Sequence, residues 1–263
     1  MIYPNIDPIA FHLGPIAVRW YGLAYAAGFM IVMTMGRRSI QRNAIEWITL
    51  DHYESVMCGL MLGLVLGGRV GYMLMYQFDR WWAHPLSVFK VWEGGMSFHG
   101  ALIGCLTVLI YQSYRYDFKC LALSDLIVPW VPCGLGLGRL ANFINGELWG
   151  RPTDQTWGMI FPWVDAQLRH PSQLYEFFLE GVVLFVMIYL MRPMRTQQGQ
   201  LTGLFLGLYG IMRFSVEFFR MPDPQIGFLL NTQWLTMGQC LSIPMIVIGV
   251  ILFFRKTLPA SQA

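Results

Sequence analysis

The sequence predicts an all-α, polytopic integral membrane protein with about seven transmembrane helices, and three observations carry that expectation. Of its 263 residues, 56% are apolar and only 13% are charged, about half the share of charge in an ordinary soluble domain. Mean hydropathy is +0.48. The 27 glycines are dispersed through apolar runs, as in membrane helices, where glycine is commoner than in soluble ones. Disorder requires low hydrophobicity and high net charge, so it is excluded. A soluble globule fits this composition poorly.

Seven windows reach the roughly 20 residues that a helix needs to cross hydrocarbon, at about 16–36, 55–77, 94–113, 122–145, 172–191, 201–220 and 237–254. Before the first, Pro4, Asp7 and Pro8 occur without any Lys or Arg. The basic start of a cleavable signal peptide is missing, so this window is expected to persist. The second carries Gly59, Gly63, Gly67 and Gly71, a ribbon that permits close helix contact, and span four (Gly134, Gly138) and span six (Gly203, Gly207) repeat the spacing. The fourth window is the weakest, holding Asp125, Pro129, Pro132, Arg139 and Asn142. It is retained because loops flank it and its polar residues crowd one end. Ser172, after His170 and Pro171, is placed to cap the fifth. The aromatic segments Met1–Gly14 and Phe78–Trp92, the latter with Trp81, Trp82, Phe89 and Trp92, read as pieces lying on the outer leaflet. No internal repeat or second domain is evident, so residues 1–263 are expected to form one integral membrane domain.

Cytoplasmic loops carry the excess of Lys and Arg. One side holds Arg37, Arg38, Arg42, Arg115, Lys119, Arg192, Arg195, Arg255 and Lys256; the other holds Arg80, Lys90, Arg151 and Arg169. This bias puts the N-terminus outside and the C-terminus inside. Net charge is only +3 and the basic residues are scattered, which leaves no footprint for nucleic acid. The five cysteines lack a CxxC pair and read as small apolar residues. GxSxG, HExxH and P-loop motifs are absent, which removes the simplest support for serine hydrolases, zinc proteases and nucleotide-driven pumps.

Ionisable residues inside the spans are functional hypotheses by default, since each costs at least ~2.5–3.5 kcal/mol at mid-membrane. At a rise of about 1.5 Å per residue, Tyr21 and His99 lie roughly 8 Å below the outer boundary, Asn142 about 5 Å, Arg139 about 9 Å, Arg213 about 11 Å and Arg69 about 12 Å. Glu176, Glu180 and Glu217 fall in the same layer. Tyr209, Arg213 and Glu217 share a helical face, and Arg213 can pair with Glu217, either as a structural tie or as part of a site. Arg69, Arg139 and Arg213 stay charged at any accessible pH, so an anion is expected to join them. The planar fork of arginine suits phosphate, and at this depth the abundant anion is a phospholipid headgroup. His99, between Gly95 and Gly100, has room beside its ring and titrates near neutrality; a hydrogen-bonded structural histidine is the alternative. His12, His52 and His84 support no such reading.

The run Gly138-Arg139-Leu140-Ala141-Asn142-Phe143-Ile144-Asn145-Gly146-Glu147-Leu148-Trp149-Gly150 resembles the signature of the prolipoprotein diacylglyceryl transferases. The resemblance extends through Arg19–Leu23, Gly67–Gly71, Gly94–Gly100, Arg169–Glu176 and Tyr209–Arg220, in order along essentially the whole chain. It implies transfer of the diacylglyceryl group of phosphatidylglycerol to the lipobox cysteine thiol of a prolipoprotein signal peptide, leaving glycerol phosphate, in the bacterial inner membrane and without a cofactor or metal. On that footing His99, Arg139 and Tyr21 become the expected catalytic residues. Arg139, Asn142, Glu147, Gly150, Tyr209, Arg213, Glu217 and Arg69 become the expected substrate-binding set. Glu147 is expected to hold Arg139 or to close the outer loop, and Arg69 to tie spans together or bind lipid. A phospholipid transporter is the competing reading, although its polar residues should spread through the full thickness. A purely structural membrane protein would leave the polar layer without a cause.

Overall fold

The computed structural model describes residues 1–43, 45–90, 94–195, 197–222 and 227–255, so Trp92 and Lys256 lie outside the described residues. The helices are α1 (Trp20–Arg42), α2 (Leu50–Tyr76), α3 (Phe78–Ala83), α4 (Phe98–Tyr116), α5 (Cys120–Ile127), α6 (Val131–Ile144), α7 (Ser172–Glu176), α8 (Leu184–Met191), α9 (Gln200–Val216) and α10 (Met237–Phe254). A π-helical segment, Phe177–Val183, joins α7 to α8. Among the described residues, three helices are long and apolar enough to cross a membrane, namely Leu50–Tyr76, Ser172–Met194 and Met237–Phe254. A fourth is added if α5 and α6, bent by 55° at a short break, count as one span. The break falls where Pro129 and Pro132 remove backbone donors and restrict the residues before them.

The expectation of an all-α chain needs correction at four short strands. β1 (Ile9–Leu13) and β2 (Ile16–Arg19) form an antiparallel hairpin in which Leu13 faces Ile16. Gly14, with φ of 60°, and Pro15 make its tight turn. The first predicted window therefore begins in a strand, and α1 starts only at Trp20. β3 (Met159–Ile160) and β4 (Leu168–Arg169) pair in the loop between α6 and α7. The segment after α2 does carry exposed apolar side chains at Phe78, Trp82, Leu86 and Phe89.

The chain divides into two compact units, Met33–Leu123 and the combination of Met1–Val32 with Ser124–Ala263. Within the first, the glycine ribbon of α2 packs on α4: a Cβ on Gly63 would meet the Gly104 carbonyl oxygen at 2.7 Å, and one on Gly71 the Gly100 Cα at 2.7 Å. The spacing thus serves close backbone approach, but Gly138 of α6 has open space beside it.

In the second unit, buried polar groups lock helix ends. Asp125, 1% exposed, accepts hydrogen bonds from Gly199 N (2.7 Å), Thr202 N (2.8 Å) and Thr202 Oγ1 (2.7 Å). α5 thereby supplies the cap that α9 lacks, placing an anion where helix amides are unpaired. At the far end of α6, the phenol of buried Tyr3 lies 2.8 Å and 2.7 Å from the carbonyl oxygens of Phe143 and Ile144. Its ring packs among Phe143, Phe161 and Trp163. The helix that carries Arg139 is thus held at its C-terminus.

Candidate active site

Three elements of the second unit converge on one cluster of charge. α6 and the π segment touch through glycines, since a Cβ on Gly181 would lie 2.8 Å from the Gly136 Cα. One turn further along α6, Arg139 donates from Nε and Nη2 to Glu180 Oε2 at 3.2 and 3.0 Å, and its Nη1 lies 3.3 Å from Glu176 Oε2. From α9, Arg213 Nη1 donates to Glu176 Oε1 at 2.8 Å and the same guanidinium pairs with Glu217. Arg220 Nη1 reaches Glu176 Oε1 at 3.2 Å. Thr236, the N-cap of α10, donates its hydroxyl to Glu217 Oε2 at 2.5 Å.

The carboxylates lie behind and the guanidinium groups in front. Glu176 and Glu180 have no exposed surface, whereas the side chains of Arg139, Arg213 and Arg220 keep 17%, 14% and 11%. Arg139 donates two of its five N–H groups to Glu180 and sets Nη1 in ion-pair contact with Glu176, so that, among the described residues, N–H groups remain for a ligand. Neutralising Arg139 and Arg213 does not require an external anion, because Glu176, Glu180 and Glu217 pair with them, whereas Arg69 lies in the other unit and is not among the arginines these carboxylates neutralise. The i, i+4 spacing of Glu176 and Glu180 was the available signal. Arg220, which completes an i, i+4, i+7 face with Arg213 and Glu217, was overlooked as a site residue.

Glu147 does not hold Arg139. Its Oε1 accepts from Asn142 Nδ2 at 2.8 Å and from Asn145 Nδ2 at 3.3 Å, so it fixes the amide that projects one turn beyond Arg139. Tyr21 bonds with Tyr25 through the hydroxyls at 3.2 Å and lies within electrostatic reach of Arg139 and Glu147. Tyr209 stacks on Phe205 and feels the charges of Glu180, Arg139, Arg213 and Glu176.

The loop between α6 and α7 is strapped to the end of α9. Gly150 N donates to His170 O and Arg151 N to Phe219 O, both at 2.9 Å. Arg151 then donates from Nε to Arg220 O at 2.9 Å and from Nη2 to Glu217 O at 3.1 Å, occupying carbonyls that a helix end leaves unpaired. Gly150 is the crossing point, where a Cβ would fall 2.6 Å from both the Phe219 oxygen and the His170 Cβ. Ser172 does not cap α7; its hydroxyl donates to Leu148 O at 2.9 Å, and the N-cap position is Pro171. His170 bonds to the Tyr175 hydroxyl at 3.1 Å. Burial lowers its pKa, an effect that Asp154 partly opposes.

The other unit holds His99 and Arg69. His99 sits exposed in the first turn of α4, behind Ser97, whose hydroxyl caps the Gly100 amide at 3.2 Å. Arg69 is 2% exposed and donates to carbonyl oxygens of Val88 (3.3 Å), Ser87 (3.1 Å), Gly95 (3.3 Å) and Gly94.

Residues 8–255 match the prolipoprotein diacylglyceryl transferase family. The chain belongs to that family. It is 51% identical over 256 residues to a phosphatidylglycerol–prolipoprotein diacylglyceryl transferase of Legionella pneumophila (strain Lens), covering 97% of this chain and 99% of that one. A protein of the same name from Nitrosospira multiformis is 46% identical, with 99% and 91% covered. One from Aeromonas hydrophila is 48% identical, with 96% and 91% covered. In this member of the transferase family, then, the signature run from Gly138 to Gly150 contains the arginine of the buried cluster, the Asn142–Glu147 pair and the glycine of the strap.

The strap makes a test of Gly150 direct. Gly150→Ala should destabilise the strapped loop by about 1–3 kcal/mol, the usual scale for overpacking. Limited proteolysis between Trp149 and Arg169 should accelerate while the helical signal is retained. An unchanged cleavage rate and unfolding temperature would show that the crossing tolerates a methyl group.

Proposed function

We propose that this chain transfers the diacylglyceryl group of phosphatidylglycerol to the thiol of the lipobox cysteine of a prolipoprotein, the first step of lipoprotein maturation. The observation that carries the reading is identity near 50% over almost the full length to transferases of that name. The arginine cluster supplies chemistry that fits. In the reaction, the sulfur attacks the glyceryl carbon, a C–S bond forms, and the C–O bond to phosphate breaks. Glycerol phosphate leaves with the bonding pair, and the thiol proton passes to a base. A free thiol of pKa about 8.5 holds little thiolate at neutral pH, and the growing charge on the leaving phosphate needs preorganised donors.

In this reading Arg139 is the principal phosphate ligand, using the N–H groups its carboxylates leave free. Asn142, its amide nitrogen fixed by Glu147, accepts from a glycerol hydroxyl through its carbonyl oxygen. Tyr21 and Tyr209 hydrogen-bond around the headgroup, and Arg213 adds positive field while paired to Glu217. Gly150 acts through the strap that sets the end of α9. His99 is assigned as the base or thiol-orienting group on its sequence context, and Arg69, whose donors are committed to carbonyls, is assigned the structural role. The whole chain, 1–263, is read as one domain of seven spans in the bacterial inner membrane, with a periplasmic N-terminus and a cytoplasmic C-terminus.

Incubation of the purified protein with phosphatidylglycerol and a lipobox peptide should yield a cysteine thioether; a transporter or structural protein would give none. Arg139→Lys keeps the charge and loses the bidentate fork, so transfer should nearly cease with normal expression and insertion. A folded variant with ordinary rates and undiminished lipid binding would remove Arg139 from the phosphate. His99→Gln should cost roughly 100-fold or more if the imidazole is the base, and near-normal turnover would shift that role to Tyr21 or Tyr209. For orientation, cysteines introduced at Arg42, Lys119 and Gln198 should react only with reagent admitted to the cytoplasmic side. Labelling from outside would invert the topology.

A further inference from the structure

We propose that Glu180, with Glu176 and Glu217, trims the arginine cluster to zero net charge so that it holds a phosphodiester monoanion and releases a phosphate monoester dianion. The proposal rests on the transferase reading, in which the substrate phosphate is the former and the leaving phosphate the latter. Three guanidinium groups, Arg139, Arg213 and Arg220, meet three carboxylates in one set of contacts. Widening the set to Glu147, which binds Asn142, and Arg151, which binds the carbonyls of Glu217 and Arg220, leaves the sum at zero. Around so little water, charge is weakly screened.

Glu180 is the carboxylate whose charge matters most and whose ties matter least. Glu176 joins Arg139 of α6, Arg213 of α9 and Arg220 just beyond α9, and Glu217 links the end of α9 to the cap of α10 through Thr236. Glu180 bonds Arg139 through one oxygen. Its other oxygen, Oε1, is buried with no hydrogen-bond partner among the described residues, as is Glu176 Oε2; the Glu176 oxygen keeps an ion-pair contact with Arg139, whereas none is found for Glu180 Oε1, a costly arrangement. Merely orienting Arg139 would need only a neutral acceptor such as a glutamine oxygen. What the carboxylate adds is its negative charge.

The consequence for turnover follows from charge. Electrostatic work on a bound ligand scales with the ligand's charge, so a unit change in the cluster alters dianion affinity by the square of the factor for a monoanion. A neutral cluster with free N–H groups accepts the diester through hydrogen bonds. As the C–O bond breaks, the N–H donors stabilise the second phosphate charge locally, but the cluster as a whole has no net positive charge to retain the dianion, and the product departs. A cluster one unit more positive would retain it.

The test uses the full-length protein in detergent with two soluble probes at about pH 8, above the second phosphate pKa of about 6: glycerol phosphate, a dianion, and glycerol methyl phosphate, a monoanionic diester. Calorimetry measures direct binding, and inhibition of thioether formation measures the same order in turnover. The unmodified protein should bind the diester more tightly than the monoester. Glu180→Gln should tighten the monoester about tenfold and the diester about threefold, taking a modest effective charge interaction, and lower both kcat and KM. Glu180→Asp should keep the order of the unmodified protein. A purely structural Glu180 would instead loosen both probes together, and that result overturns the proposal. So does equal or tighter binding of the monoester by the unmodified protein, a comparison that stands even if Glu180→Gln fails to fold. Absence of any thioether product would refute the transferase reading, while calorimetry still decides the charge proposal.

Discussion

The structure around the candidate site depends on one carboxylate, that of Glu176, which has no exposed surface and is shared by Arg139, Arg213 and Arg220. A buried charge of this kind is tolerable only when it is paired and hydrogen-bonded. Satisfying it fixes the rotation of α6 and α9 about α7. That rotation in turn directs the spare N–H groups of Arg139 away from the carboxylates and sets the Asn142–Glu147 pair beside them. The strap belongs to the same construction, because Arg151 binds the carbonyl oxygens of Glu217 and Arg220, two residues whose side chains complete the cluster. Glycine contacts at Gly136 and Gly181 let the backbones approach closely enough for the pairing.

Such a network trades stability for placement. Replacing buried ion pairs with apolar side chains is often neutral or stabilising, so stability alone gives little reason to keep six charged groups here. Their value lies in holding guanidinium forks rigidly in a region poor in water, where preorganised donors stabilise developing charge most strongly. A family that displaces a phosphate leaving group from a lipid has a use for that arrangement. The π-helical turn that carries Glu180 fits the same pattern, since such insertions concentrate at functional sites.

Much of this was legible in the sequence, for physical reasons that differ by element. The apolar windows and the glycine ribbon of α2 are local patterns, and helices follow them closely from α2 to α10. Pro129 and Pro132 flagged the weak fourth window, which the structure breaks. The β1–β2 hairpin was missed because Ile9–Leu13 and Ile16–Arg19 are short and sit against an apolar run, where periodicity does not distinguish strand from helix. Arg139, Arg213 and Glu217 stood out because charge is expensive among apolar residues, and Asn142 because a buried amide also needs partners. Glu176 and Glu180 were placed in the same layer, but their pairing with Arg139 was not legible, because the packing of α6 on α7 and the π segment is a tertiary fact. Of the two roles expected for Glu147, holding Arg139 or closing the loop, spacing could not choose, because it does not say that the helix ends at Ile144 and turns the side chain back on Asn142.

The central claim is that the cluster built on Glu176 receives the lipid phosphate through Arg139. It is tested most directly by an experimental structure of the protein with phosphatidylglycerol bound. The account predicts phosphate oxygens at about 2.8 Å from guanidinium nitrogens of Arg139, the separation of charge-assisted hydrogen bonds, with Glu176 still bridging the arginines. A phosphate bound elsewhere, with none of its oxygens on Arg139, would contradict it.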